Sequence, residues 1–309
     1  VSKFPVVQIP VPSDRDFEIH PEGAIAKYWQ DLPSLGRSLV KADLRGAWVE
    51  KVTATLAERI GLPVAGCELV ERADGLKMLA SPNFLATGAI ERAGESLLED
   101  RYGINYPYTV DTILSTIAAE NVIRPNNWNA PKPIATASDL VTGYLIFDSW
   151  IGNIDRHSKN WGIQQFLDGR KELLPTYDHG LSLGVRMPED KLPIDLTDFS
   201  GDCRSSIQSE IGGTLTMNGL TDRLLELRPE AARFWIDRIK RIERDSIEAT
   251  FDRLPEGWTS DMRLKFTIDL VVASRDRLIK LASERSSTTG KINTDPEELG
   301  RLSPGRQSS

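Results

Sequence analysis

The stretch Tyr144–Asn160, YLIFDSWIGNIDRHSKN, decides how the rest of the chain is read. An apolar run stops at Gly152-Asn153, and directly behind it stand a carboxylate, Asp155, and, five residues on, a carboxamide, Asn160. The run and its stop predict a helix from a Ser138 cap to Gly152. Two strand-like segments, WGIQQF and KELLPTY, then flank the turn Leu167-Asp168-Gly169-Arg170 and predict a hairpin, after which a second carboxylate arrives in Tyr177-Asp178-His179-Gly180. A lone Asp followed five residues later by Asn is more often a turn whose side chains satisfy nearby backbone groups. The second polar loop, returned by the hairpin, changes that reading.

Phosphoryl transfer from Mg-ATP asks a protein mainly to position and to neutralise. Asp155 is expected to accept or orient the attacking hydroxyl, Asn160 to ligate Mg²⁺ through its amide oxygen, and Asp178 to bridge metal and phosphates as a hard oxygen donor. His157 is grouped with Asp155 in the catalytic loop, with a hold on the loop or on the neighbouring carboxylates preferred to direct proton transfer. Because His157, His179, Asp155 and Asp178 could also furnish a metal-dependent phosphohydrolase, that alternative stays open.

Working toward the N-terminus, VVQIPV, AIAKYWQ and GRSLVKA read as short strands, the last two joined by the turn-rich DLPSLG. Trp48, Val49, Val52, Leu56 and Ile60 recur at helical spacing and stop at Gly61 with Pro63 beyond, and CELVERADGLKMLA reads as a hairpin turning at Asp74-Gly75. Lys41 closes the strand SLVK, and Glu50 falls nine residues on inside the helix. A strand lysine paired with a helix glutamate is how an ammonium is fixed on nucleotide phosphates. Gly23, Ala24 and Lys27, in HPEGAIAKYW, form a small-residue turn entering a strand, a cradle for phosphates through backbone N–H groups.

Toward the C-terminus helices dominate: TVDTILSTIAAENVI is one, and the segments Leu220–Leu254 and Ser260–Glu284 supply more, with mixed charges on their outer faces. The expected division is 1–90 for a β-rich nucleotide-binding lobe, 91–285 for a helical lobe with the catalytic and metal loops, and 286–309 for a disordered, Ser-rich tail. The fold class is α+β.

The net charge of −7, with basic and acidic residues interspersed, offers no footprint for nucleic acid. Cys67 and Cys203, the only cysteines, have neither disulfide nor metal spacing. No apolar run approaches the roughly 20 residues of a membrane span, and the first twenty residues lack a secretory layout. A cytoplasmic protein that binds neither DNA, RNA nor membrane is expected.

These residues carry a resemblance to the HipA-like serine/threonine kinase family, within the protein-kinase-like superfamily that includes phosphoinositide kinases. GNIDRHSKN followed by LLPTYDHG is similar to the family's catalytic and metal loops, SLVK to its nucleotide-lysine strand, WVEKVTATLAERIGLPVAGCELV to the helix, turn and strand that follow, and GAIAK to its phosphate loop. The resemblance implies a bilobal kinase fold, ATP and Mg²⁺ as cofactors, and a protein substrate phosphorylated on Ser or Thr. It makes Asp155 the catalytic Asp, Asn160 and Asp178 the metal ligands, Lys41 and Glu50 the nucleotide pair, and Gly23 to Lys27 the cover of the phosphates. It also implies a regulatory partner of the toxin–antitoxin type, although only about twenty residues precede the phosphate loop here. The loop HPEGAIAK has no hydroxyl to be self-phosphorylated, and Asp-Arg-His with Asp-His-Gly leans toward the phosphoinositide-kinase pattern. The alternatives are a small-molecule or lipid phosphotransferase on the same scaffold and an inert kinase-like binding module.

Overall fold

The computed structural model describes residues 1–11, 18–19, 27–43, 45–193 and 195–292, with residues 18–19 and 286–292 described as backbone alone. Gly23 and Ala24 of the expected phosphate cradle, and the tail beyond Ile292, lie outside the described residues.

Six strands, β1 (Val6–Ile9), β2 (Glu18–Ile19), β3 (Lys27–Leu32), β4 (Gly36–Lys41), β5 (Glu68–Arg72) and β6 (Lys77–Pro82), form one sheet in the order β1-β5-β6-β4-β3-β2. Neighbours run antiparallel except β1 and β5, which are parallel. Strand alternation sorts the side chains. Val40, Val70, Met78 and Ala80 join Ile9, Tyr28 and Leu32 in a small cluster, while Leu69 and Leu79 belong to the main core with helix α1 (Ala47–Ile60). Lys41 pairs with Leu79 in register and so shares the face that α1 covers.

The glycine stop of α1 is as expected: Gly61 takes the left-handed conformation, φ +86°, and its N–H closes the last turn. Two carbonyls at that end are satisfied from the other lobe, Ile60 O by Arg238 Nε (2.9 Å) and Gly61 O by Trp128 Nε1 (3.1 Å). The main core runs without interruption from α1 into the helical lobe.

That lobe contains a three-stranded sheet, β7 (Ala89–Ala93), β8 (Gly162–Phe166) and β9 (Lys171–Leu173), and the hairpin β10 (Arg204–Gln208) and β11 (Thr214–Thr216). Around them pack α2 (Gly94–Tyr102), α3 (Val110–Ala119), α4 (Ala137–Ile151), α5 (Leu196–Asp202), α6 (Met217–Leu227), α7 (Pro229–Lys240), α8 (Arg244–Phe251) and α9 (Asp261–Ile292). The architecture is the expected bilobal α+β one; the six-stranded sheet ends its last strand in sequence at Pro82, and β7, from Ala89, belongs to the three-stranded sheet. Helix α9 continues through Ser286 to Ile292, beyond the expected start of the tail. Among the described residues, no helix is long and apolar enough to cross a membrane.

Helix α4 is buried over its whole length, as a helix apolar on all sides must be. Its cap is Thr136, not Ser138. Thr136 Oγ1 accepts from Asp139 N (3.2 Å) while Asp139 Oδ2 accepts from Thr136 N (2.9 Å), a reciprocal capping box that also takes in the guanidinium of Arg228. Ser138, two residues inside, uses its carbonyl in a bond from Thr142 Oγ1 instead. Thr136→Ala is expected to cost about 1 kcal/mol, read as a lower urea midpoint at unchanged slope.

Candidate active site

The loop expected to be catalytic begins where Gly152, φ +63°, ends α4 in a left-handed turn. Asn153 Oδ1 accepts from Asp155 N (3.1 Å), and the Asp155 carbonyl accepts both from His157 N (2.8 Å) and from the Asn160 side-chain amide, Nδ2 (2.8 Å). The turn is thus closed by backbone atoms and by the nitrogen of Asn160. The Asp155 carboxylate is left over: among the described residues it accepts no hydrogen bond, and the ring nitrogen His157 Nε2 lies 4.0 Å away. Burial raises its pKa above the usual aspartate range, His157 opposing and the charge of Asp178 adding to the effect.

Beneath the loop lies a buried polar anchor. Arg156 is 2% exposed and clasps Asp148, 1% exposed, through Nε (2.7 Å) and Nη2 (3.0 Å). The same guanidinium donates to Thr176 Oγ1 (3.0 Å), the Tyr177 carbonyl (3.0 Å) and the Asn160 carbonyl. It therefore ties α4, the catalytic loop and the segment before Asp178 together. Asn153 Nδ2 adds a bond to Asp148 Oδ1 (2.8 Å). Asp148 and Thr176 were not anticipated, yet Asp148 carries a signal: a single acid inside YLIFDSWI must find a partner when its helix is buried.

The expected metal loop is brought to the first lobe by a short pairing. Ala65 N donates to Thr176 O (2.9 Å) and Thr176 N to Pro63 O (3.0 Å), so the Gly-Leu-Pro turn after α1 holds the strand that leads into Asp178. Asp178 itself sits at φ +60°, a strained setting for a non-glycine residue and one found at functional sites. Phe84, from the connection between the lobes, stacks on Tyr177 with ring centres 5.6 Å apart.

Here three of the predicted residues meet. Lys41 Nζ lies 3.0 Å from Asp178 Oδ1 and 3.4 Å from Glu50 Oε2, joining strand, helix and metal loop across 137 residues of sequence. Burial works against the Lys41 charge, but the two carboxylates outweigh it and hold the ammonium above the ordinary lysine range. Asp178 is held below the usual aspartate range: burial opposes this, and Lys41, with Lys27 in support, prevails. Lys27 stands directly opposite Lys41 in the β3–β4 ladder, an arrangement of like charges that a sheet alone disfavours.

His179 departs from the hydrolase alternative. Its ring is 1% exposed, packs edge-on against Phe147, and shares a hydrogen bond between Nε2 and Thr176 Oγ1 (2.9 Å). Burial, with Arg156 nearby, keeps it neutral, its pKa well below the usual histidine value. The four-residue set of that alternative is not assembled, and among the described residues no group of three or more His, Cys, Asp or Glu side chains is placed to hold a metal.

No protein-family model and no curated protein sequence matches the chain. Solved structures do. The Helicobacter pylori proinflammatory kinase CtkA matches with a TM-score of 0.70 at 17% identity, over 93% of this chain and 100% of that one. HipA of Shewanella oneidensis MR-1, in a complex of that toxin–antitoxin system with HipB and operator DNA, matches with a TM-score of 0.53 at 15% identity, over 87% of this chain and 66% of the other. The chain therefore has the HipA-like, protein-kinase-like fold.

Proposed function

We propose that this chain is a kinase that transfers the γ-phosphoryl group of Mg-ATP to a hydroxyl, with Ser or Thr of a protein as the acceptor. The observation that carries the reading is Lys41, from β4, bound at once to Glu50 of α1 and Asp178 of the metal loop. The donor set fits Mg²⁺. Asn160 spends its amide nitrogen on the Asp155 carbonyl and keeps its oxygen, and Asp178 meets Lys41 through Oδ1 and keeps Oδ2. Two hard oxygens suit an ion that completes its shell with water and phosphate. Bound there, Mg-ATP would supply the phosphoryl group and neutralise charge developing on its oxygens. Lys41 and Lys27 bind phosphate, and Asp155 orients the acceptor hydroxyl and takes its proton. The structural neighbours are kinases, which supports the chemistry; a protein acceptor, and a regulatory partner of the toxin–antitoxin type, rest on the resemblance.

Labelled ATP and Mg²⁺, supplied to the chain with lysate protein, lipid vesicles or a small-molecule extract, test the proposal. Label on protein Ser or Thr is expected. Lys41→Met should reduce it by about 10²-fold or more, since a fixed cation on the phosphates is removed. Label confined to lipid or small molecules would establish the phosphotransferase alternative, and untouched ATP would overturn the enzyme.

A further inference from the structure

A cavity of about 330 Å³ opens beside the site, between the start of α1 and the start of α9, with Val185–Glu189 as its third wall. In a chain of net charge −7, three arginines line it: Arg45, Arg186 and Arg263. Arg263, 7% exposed, is a brace. Its Nη1 donates to Gly184 O (3.1 Å), its Nη2 to Met187 O, and these bonds hold the loop that carries Arg186. Glu189, the acid in the wall, is already committed, accepting from Ser260 Oγ (2.7 Å) and lying 3.9 Å from Arg263 Nε. Arg45 and Arg186 remain. Among the described residues neither has an ion-pair partner, and both are exposed at the cavity.

The loop ties this cavity to the catalytic centre. Leu183, five residues after Asp178, donates its N–H to Ile151 O (2.9 Å) at the end of α4, immediately before the catalytic loop. The positive charge of Arg186 reaches the Asp155 carboxylate. A peptide at Asp155 is thus within reach of the Arg186 charge, Arg45 lines the same cavity, and the planar forks of both guanidiniums match carboxylate and phosphate oxygens.

We propose that the Arg45–Arg186 cavity selects protein substrates, binding an acidic or phosphorylated side chain a few residues from the acceptor hydroxyl. The proposal rests on the kinase reading. It makes Arg45 and Arg186 specificity residues and Arg263 a positioning residue.

A library of peptides with a central Ser, carrying Glu, phosphoserine, Ala or Arg at each flanking position, tests it in this chain with Mg-ATP. The wild type is expected to favour Glu or phosphoserine over Ala by about tenfold or more in kcat/KM at one position. Arg45→Glu/Arg186→Glu, both at exposed sites, should bring that ratio to about one and turn the preference toward Arg. If phosphoserine alone is favoured, the cavity reads a prior phosphorylation; if Glu serves equally, it reads acidity. Peptides phosphorylated with no flanking preference, or a preference that survives the charge reversal, would overturn the cavity's role while leaving the kinase intact. ATP turned over with no peptide labelled would instead remove the protein acceptor, and the cavity proposal with it.

Discussion

Replacing Asp155 by Asn is expected to slow phosphoryl transfer by about 10²- to 10⁴-fold, the range of a positioned general base, with the melting temperature moved by no more than about 2 °C. The separation follows from what the carboxylate does in the fold. The loop is closed through the Asp155 backbone, whose N–H and carbonyl bond Asn153, His157 and Asn160, and the isosteric Asn keeps those atoms. The carboxylate itself accepts no hydrogen bond among the described residues. Single-turnover transfer and a thermal melt on the same preparation check both halves. Full transfer by the variant would remove Asp155 from the chemistry, and a large loss of melting temperature would make it structural.

The same carboxylate sets a pH dependence. In the proposed reaction transfer needs Asp155 deprotonated, and burial, opposed by His157 and aided by Asp178, raises its pKa. Activity should therefore be present at neutral pH and be lost, as pH falls, at values above the usual aspartate range. His157→Gln removes the opposing charge and should move this acid limb upward, with the plateau rate changed by less than about tenfold. A plateau loss equal to that of Asp155→Asn would place His157 in the proton transfer, and an unmoved limb would refute the electrostatic link.

The parts of the site legible in the sequence were those whose local pattern and chemistry coincide. Lys41 ends an alternating strand and Glu50 lies in an amphipathic helix, so geometry alone makes them neighbours once the sheet forms. The helix before Asp155 was readable from its apolar run and glycine stop, but its cap was misplaced by two residues. Thr136 and Ser138 are both acceptable caps, and the acid three residues after Thr136 was the discriminating feature. Short elements escaped for a different reason: α2 buries little besides Leu97 and Leu98, and α5 spans Leu196–Asp202, too brief for a periodic face. The buried anchor of the catalytic loop was invisible because it joins Asp148, Arg156 and Thr176 through tertiary contacts that no spacing encodes.

Arg156 is where the largest loss of stability is expected. Arg156→Leu would leave the Asp148 carboxylate in a position 1% exposed, with, among the described residues, only Asn153 Nδ2 still donating to it, and would strip donors from Thr176, Tyr177 and Asn160. Removing one partner of a buried ion pair costs about 3–5 kcal/mol, a large share of the roughly 5–15 kcal/mol that holds a domain together. Arg156→Lys rescues little, because one ammonium cannot reproduce the two-pronged grip on Asp148. The double variant Asp148→Leu/Arg156→Leu separates the causes. If the cost is the stranded charge, urea unfolding should show the pair recovering part of the stability lost by Arg156→Leu alone. Activity should not return with it, since the carbonyls of Asn160 and Tyr177, which frame the proposed metal ligands, still lack their common donor. A double variant as active as the wild type would show that the anchor serves folding alone, and that the loop around Asp155 holds its shape without it.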